Sequence, residues 1–415
     1  MSVAWTAYRS LAPLLGAAAP LGRWIAPAPE RDAWGERLGE VAGAEPAEAW
    51  IHAASMGEAV AVAGLLAELR RDAPAARLRL TATTRTGRQR LTELGEQATL
   101  APLDTPQASA RFFACVRPKC VLLLETELWP HWLMAARRGQ VPVAVLNARL
   151  SARSVERYRW LGAGFAELIA GLAAVLCQSD ADRDRWQALG TAPARTATVG
   201  NMKNDGLPAP TPDRGAARAT LGLDPTRPLW VLGSVRPGEA RSLGEAWKTL
   251  PAEVRDRWQV VAVPRHAHAS SGLRREAQEI GVAEASGAPE RGAWRWDDRP
   301  GVLTGYYAAA EVAYVGGTLG PYGGHNPLEP AACGAAVLTG PHLEAQQPAA
   351  QALAAEGAIE IAAAGAQLHA AVLALLTDAT LLSRRGEASR RAAAQARGAT
   401  RRAVDRLREW SLWPR

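Results

Sequence analysis

Val315-Gly316-Gly317-Thr318-Leu319-Gly320-Pro321-Tyr322-Gly323-Gly324-His325-Asn326-Pro327-Leu328-Glu329-Pro330 is the stretch whose reading decides the fold. An apolar strand-like run over 312–315 opens into a loop holding five glycines, and proline followed by an acid at Pro327-Leu328-Glu329 marks a helix start. A strand, a glycine loop and a helix in that order make the crossover of a parallel α/β sheet. The loop suits a phosphate, because glycines let backbone approach a ligand and a helix N-terminus offers unpaired N–H groups. Glu329 is then placed to accept from ribose hydroxyls. The same residues also suit a tight crossover that binds nothing.

Working outward, strand-like runs recur at 49–53, 78–83, 98–102, 119–125, 141–146, 174–178 and 195–199, separated by helical patterns such as Glu58 to Arg71 and Leu128 to Arg138. A second series runs at 229–233, 258–263, 312–316, 335–339 and 357–361, followed by a long Ala/Arg-rich helix from about 381 to 410. Between them Gly206-Leu207-Pro208-Ala209-Pro210-Thr211-Pro212 reads as a linker. The expected architecture is two Rossmann-like, doubly wound α/β domains facing across a cleft, with ligands at the carboxyl ends of the strands. The segments are 1–34 at the N-terminus, 35–205 as first domain, 206–227 as linker, and 228–415 as second domain including the C-terminal helix.

With 415 residues, 48% hydrophobic and 21% charged, the chain can bury two ordinary cores. Its net charge of +7 favours an anionic partner, but no run of five or six basic residues appears, so nucleic acid is not the expected one. Cys115, Cys120, Cys177 and Cys333 form neither a CxxC pair nor a ligand cluster, so no metal site is expected. Near the N-terminus an uncharged stretch between Arg9 and Arg23 is too short to span a bilayer and carries Pro13 and Pro20. Trp5, Tyr8 and Trp24 near its ends suit a membrane interface, and a helix packed on the first domain is the alternative.

Polar residues follow several of the apolar runs. In His52-Ala53-Ala54-Ser55-Met56-Gly57-Glu58, Glu58 is placed either as a catalytic carboxylate or as half of a Ser-x-x-Glu capping box, and His52 reads as a packed histidine. In Leu124-Glu125-Thr126-Glu127, Glu125 ends a buried strand, where a carboxylate is costly unless paired or used. Asn147-Ala148-Arg149-Leu150-Ser151 and Gly200-Asn201-Met202-Lys203 also follow strands. Arg149 is read as an anion clamp or the partner of an acid, and Lys203 as a phosphate or carboxylate ligand or a solvated surface residue. Gly233-Ser234-Val235-Arg236-Pro237-Gly238-Glu239 and Val263-Pro264-Arg265-His266 repeat the pattern in the second half, Arg265 offering a fork suited to phosphate.

These segments, with Gly35-Glu36-Arg37-Leu38-Gly39 and Gly323 to Pro330, resemble in order and spacing the 3-deoxy-D-manno-octulosonic acid (Kdo) transferases over nearly the whole chain. The resemblance implies a GT-B type glycosyltransferase that takes CMP-Kdo as donor and a lipid A precursor as acceptor in lipopolysaccharide core biosynthesis. It also implies inversion at the anomeric carbon, no metal or other cofactor, and peripheral attachment to the cytosolic face of the cytoplasmic membrane. Carried over by position, it makes Glu58 the general base, Glu125 the transition-state carboxylate and Lys203 the functional lysine. CMP contacts fall on Pro264, Arg265, Pro300, Gly301, Val302, Asn326, Pro327, Leu328 and Glu329. The chain departs from the family where Val302 replaces a glutamate and where Ser234-Val235-Arg236 replaces Ser-Thr-His. A related transferase with another donor or lipid acceptor, or a sugar-nucleotide epimerase of the same architecture, is the alternative.

Overall fold

The computed structural model describes residues 2–43, 45–95, 97–287 and 290–414. They form two compact units, Met1–Gly206 with Arg397–Arg415, and Leu207–Ala396.

The first unit holds a parallel seven-stranded sheet of β1 (Ala49–His52), β2 (Leu78–Ala82), β3 (Ala98–Leu100), β4 (Cys120–Leu124), β5 (Val143–Ala148), β6 (Ala174–Cys177) and β7 (Thr196–Thr198), in the order β3-β2-β1-β4-β5-β6-β7. Residues such as Ile51, Leu122 and Leu146 face one apolar cluster, while Trp50, Leu123 and Val145 face another, so both sheet faces are covered. Burial on both faces explains why these strands read as continuous apolar runs rather than alternating ones. Every connection is a helical crossover, and the order reverses between β1 and β4. At such a reversal the loops leaving the two strand ends diverge and open a crevice.

The second unit repeats the plan with β8 (Leu229–Val235), β9 (Gln259–Pro264), β10 (Trp294–Trp296), β11 (Val312–Val315), β12 (Ala336–Thr339) and β13 (Ile359–Ile361), ordered β10-β9-β8-β11-β12-β13 and parallel throughout. Here the reversal lies between β8 and β11. The edge strand Trp294–Trp296 is an element the sequence reading did not anticipate: three residues, with a half-exposed Arg295 between two tryptophans, leave too short a run to register.

The C-terminal segment corrects two expectations. Instead of one long helix there are two, Ala379–Ala396 and Ala399–Glu409, broken at Gly398 in a left-handed conformation (φ 82°). The second helix also belongs to the first unit rather than the second. Its Ala399, Ala403, Val404 and Leu407 are buried in the first unit's core, and Asp205 accepts from the backbone N–H groups of Gly398, Ala399 and Thr400, capping its N-terminus. The chain thus divides at Gly206 and returns at Arg397.

The N-terminal helix Val3–Ala18 turns one face inward. Trp5 is buried beside Phe165, with ring centroids 6.0 Å apart, and the Tyr8 hydroxyl donates to Asp104 and lies 2.7 Å from His131 Nδ1. Outward, Val3, Leu11, Leu14, Leu15, Leu21, Trp24 and Ile25 are exposed, Trp24 at 79% and Ile25 at 82%. Both sequence readings of this segment therefore have a physical counterpart, a packed face and an uncovered apolar one. Among the described residues no single helix is long and apolar enough to cross a membrane.

Candidate active site

Glu58 leaves the end of β1 in the first turn of the helix Met56–Asp72. Its Oε2 accepts from the N–H of Ala54 at 2.7 Å, and Oε1 accepts from the Ser55 hydroxyl at 3.0 Å. This is not a capping box, since the Ser55 side chain accepts nothing from the helix backbone and Glu58 reaches the N–H of Ala54, one residue before the N-cap, rather than that of Ser55. Burial raises the Glu58 pKa; the Ala54 N–H opposes the shift, and the charges of Glu125 and Glu127 add to it. A fixed carboxylate with a raised pKa is what a general base requires.

On the other side of the reversal, Glu125 follows β4 with a left-handed backbone (φ 61°), and its N–H bonds to the carbonyl of Leu146 at 2.8 Å. A non-glycine residue in that conformation is strained and persists only where its surroundings hold it. Lys203, in a short 3-10 turn after β7, supplies one restraint through its ammonium on Glu125 Oε1. Asn147, also left-handed and fully buried, bonds through Oδ1 to the N–H of Met202 at 2.9 Å, tying that turn to β5. The neighbouring Arg149 is exposed, and among the described residues no acid pairs with its side chain.

Glu127 differs from both. His52 Nε2 lies 3.6 Å away and Trp129 donates to it at 2.8 Å. Burial alone pushes the Glu127 carboxyl up, but these donors outweigh it and leave it below its ordinary value. His52 is fully buried against Trp132, with Nδ1 2.8 Å from the Thr81 hydroxyl, and desolvation lowers its pKa. The histidine is a packed, hydrogen-bonded strut, as its sequence position suggested.

In the second unit the glycine loop departs from expectation. The N–H groups of Gly317, Thr318 and Leu319 all point at the carboxylate of Glu239, at 2.9 to 3.0 Å, and that carboxylate also accepts from the N–H of Arg236 and the hydroxyl of Tyr314. An internal carboxylate at 1% exposure occupies the place the sequence reading gave to a phosphate. The first half of the loop is therefore structural. Gly316 is required there, because a β-carbon would lie 2.2 Å from the carbonyl oxygen of Ser234. Sequence reasoning placed Glu239 in a polar motif without giving it this role; a carboxylate opening a helix directly after a buried strand was the available signal.

What remains for an anion is a set of cations around the loop's second half. Arg265 follows β9 and is exposed, its N–H bonded to the carbonyl of Val235 at 3.1 Å. Arg236 follows β8. Among the described residues no carboxylate forms an ion pair with either, and burial together with Arg265, Arg236 and His266 brings His325 down to about 4. Asn326 accepts from the N–H of Leu328 as Pro327 opens the helix Leu328–Ala332. Burial raises the Glu329 pKa, with Asn326 and Arg265 opposing. Pro264 is the last residue of β9. Pro300 and Gly301 are exposed at the turn beyond β10, while the Val302 side chain packs on the cluster of Tyr306 and Val231, so that position offers a ligand only backbone.

Comparison with known proteins bears on the geometry. Residues 32–206 match the family model described as 3-deoxy-D-manno-octulosonic-acid transferase (kdotransferase). The chain is 36% identical to the 3-deoxy-D-manno-octulosonic acid transferase of Bordetella pertussis, covering 97% of this chain and 98% of that one. It is 30% identical to that of Haemophilus influenzae, covering 88% and 87%. In fold it is similar to the UDP-GlcNAc 2-epimerase of Neisseria meningitidis, at a TM-score of 0.62 with 13% identity over 87% of this chain and 99% of that one, a likeness that establishes the GT-B type fold alone. With both sheets, their reversals and this full-length similarity in view, the chain belongs to the family of 3-deoxy-D-manno-octulosonic acid transferases, which are glycosyltransferases.

Proposed function

We propose that the protein transfers Kdo from CMP-Kdo to a sugar hydroxyl of a lipid A precursor, by an inverting, metal-independent displacement in lipopolysaccharide core biosynthesis. The observation that carries the reading is the Glu58 carboxylate, fixed by Ala54 and Ser55, raised in pKa, and neighboured by the Glu125–Lys203 pair. As the acceptor oxygen attacks the anomeric carbon, Glu58 takes its proton. The bond to the CMP phosphate breaks with its electron pair leaving on the phosphate oxygen. One displacement inverts the carbon. Glu125, held by Lys203, stabilises positive charge developing on the sugar, and Arg265 meets the growing charge of the leaving group in the role a cation would otherwise fill. Glu329 and Asn326 accept and orient the nucleotide, with the Pro300–Val302 turn beside it.

The exposed apolar side chains from Val3 to Ile25 support a further part of the reading, that this face rests in the cytosolic surface of the cytoplasmic membrane, where a lipid acceptor is held. Arg9 adds attraction to anionic headgroups, and Arg23 adds less, because it is paired with Glu40. The deciding experiment incubates the protein with CMP-Kdo and a lipid A precursor and follows products by mass spectrometry. Addition of Kdo mass to the lipid with release of CMP supports the reading. Turnover of a nucleotide sugar with no acceptor present supports the epimerase alternative instead.

A further inference from the structure

The donor assigned above, on which this inference rests, carries two separate negative groups, the phosphodiester and the carboxylate of the sugar acid. At the ends of β8 and β9 the second unit offers the guanidinium groups of Arg236 and Arg265. Elsewhere in the same unit arginines near acids are paired, as in Arg218 with Glu311, Arg241 with Glu279 and Arg299 with Asp297. Among the described residues Arg236 and Arg265 have no such partner. Their backbones are linked, since the N–H of Arg265 bonds to the carbonyl of Val235, the residue before Arg236. Two forks of donors thus leave the ends of the neighbouring strands β8 and β9, of which β8 borders the order reversal of the sheet.

They are not equivalent. Arg265 acts electrostatically on Glu329, the acid read as facing the ribose, which puts it on the nucleotide side. Arg236 lies over Tyr322, with Cζ 5.0 Å from the ring centroid, and its Nε is shielded from solvent with no partner. A guanidinium laid on an aromatic ring has one face covered and its donor edge directed outward, the arrangement that suits a planar carboxylate. Glu239 fixes the Arg236 backbone, accepting its N–H at 2.8 Å. We propose that Arg236, laid on Tyr322, recognises the carboxylate of the donor sugar and leaves the phosphate to Arg265.

The test compares CMP, which lacks the carboxylate, with CMP-Kdo, in the full chain. Arg236→Ala should raise KM for CMP-Kdo on the order of tenfold to a hundredfold, the scale of a lost charge-assisted bidentate contact, while Kd for CMP measured by calorimetry stays within about threefold. Arg265→Ala should weaken both ligands together. Arg236→Lys, which retains charge without the fork, should recover only part of the loss, and Tyr322→Ala should raise the donor KM without touching any charge. Equal weakening of CMP and CMP-Kdo in Arg236→Ala would assign Arg236 to the phosphate and overturn the proposal. An unchanged donor KM in both Arg236→Ala and Tyr322→Ala would overturn it as well. Failure of the wild-type protein to bind CMP would remove the functional reading itself, a different result from either.

Discussion

Lys203 Nζ lies 2.5 Å from Glu125 Oε1, an ion pair that joins a strained strand end to a turn 78 residues further along the chain. The lysine places a positive charge beside the carboxylate that acts on Glu58. Lys203→Met should therefore raise the Glu58 pKa further, because an uncompensated neighbouring carboxylate disfavours ionisation. The acid limb of kcat/KM against pH should move to higher pH, with transfer slowed about a hundredfold or more. A limb that stays in place would show that the lysine charge does not reach Glu58.

Glu58 itself should oppose stability at neutral pH. Its pKa in the folded protein lies above the ordinary carboxylate value, so its protonated form favours folding. That contribution is full below the unfolded pKa and is lost as pH rises through the raised folded value. Glu58→Gln resembles the protonated acid. It should melt above wild type at pH 8, melt near it at pH 4, and have no transfer activity. Glu58→Ala should likewise abolish transfer while CMP binding persists; an equal loss of CMP affinity would mean the residue is only a cap.

The carboxylate of Glu239 gathers the N–H groups of Arg236, Gly317, Thr318 and Leu319 and the hydroxyl of Tyr314 in a buried site. Glu239→Ala leaves those donors unmatched and should cost about 2–4 kcal/mol of unfolding free energy. Denaturant melts check this directly, and a loss under about 0.5 kcal/mol, the scale of an ordinary surface change, would contradict the role.

Arg265→Ala and Glu329→Ala should each weaken CMP binding by on the order of 1–3 kcal/mol, the scale of a hydrogen bond to a charged group. Calorimetry showing full affinity in both would place the nucleotide elsewhere.

The apolar face is best tested by point substitution. Truncation would also remove Trp5 and Tyr8 from the packing of the first unit. Leu14→Asp with Ile25→Asp changes exposed side chains only, and should lower partitioning into anionic liposomes on the order of a hundredfold if both insert. Trp5→Ala should instead destabilise the fold by about 3–5 kcal/mol. Unchanged liposome binding by the double variant at high salt would exclude insertion of this face.

The sheet cores were legible because strands buried on both faces leave uninterrupted apolar runs such as Val121 to Leu124 and Val312 to Val315. Glu58, Glu125 and Lys203 were legible as polar residues directly after such runs, and the structure brings them together in one unit. The carboxylate of Glu239 in the glycine loop was not, because its donors arrive from a stretch 78 to 80 residues away and sequence pattern carries no information on which anion a loop encloses. The C-terminal helices misled for a related reason: alanine and arginine sustain helical propensity across a break that Gly398 alone marks.

The return of residues 397–415 to the first unit has a consequence for synthesis. The second unit is continuous, so all of its core is synthesised before Ala403, Val404, Leu407 and Trp413 of the first unit. The unit begun first is therefore completed last, after a delay on the order of ten to forty seconds at ~5–20 residues per second. Throughout that interval the inner face of the first sheet awaits a cover that Asp205 is already placed to cap.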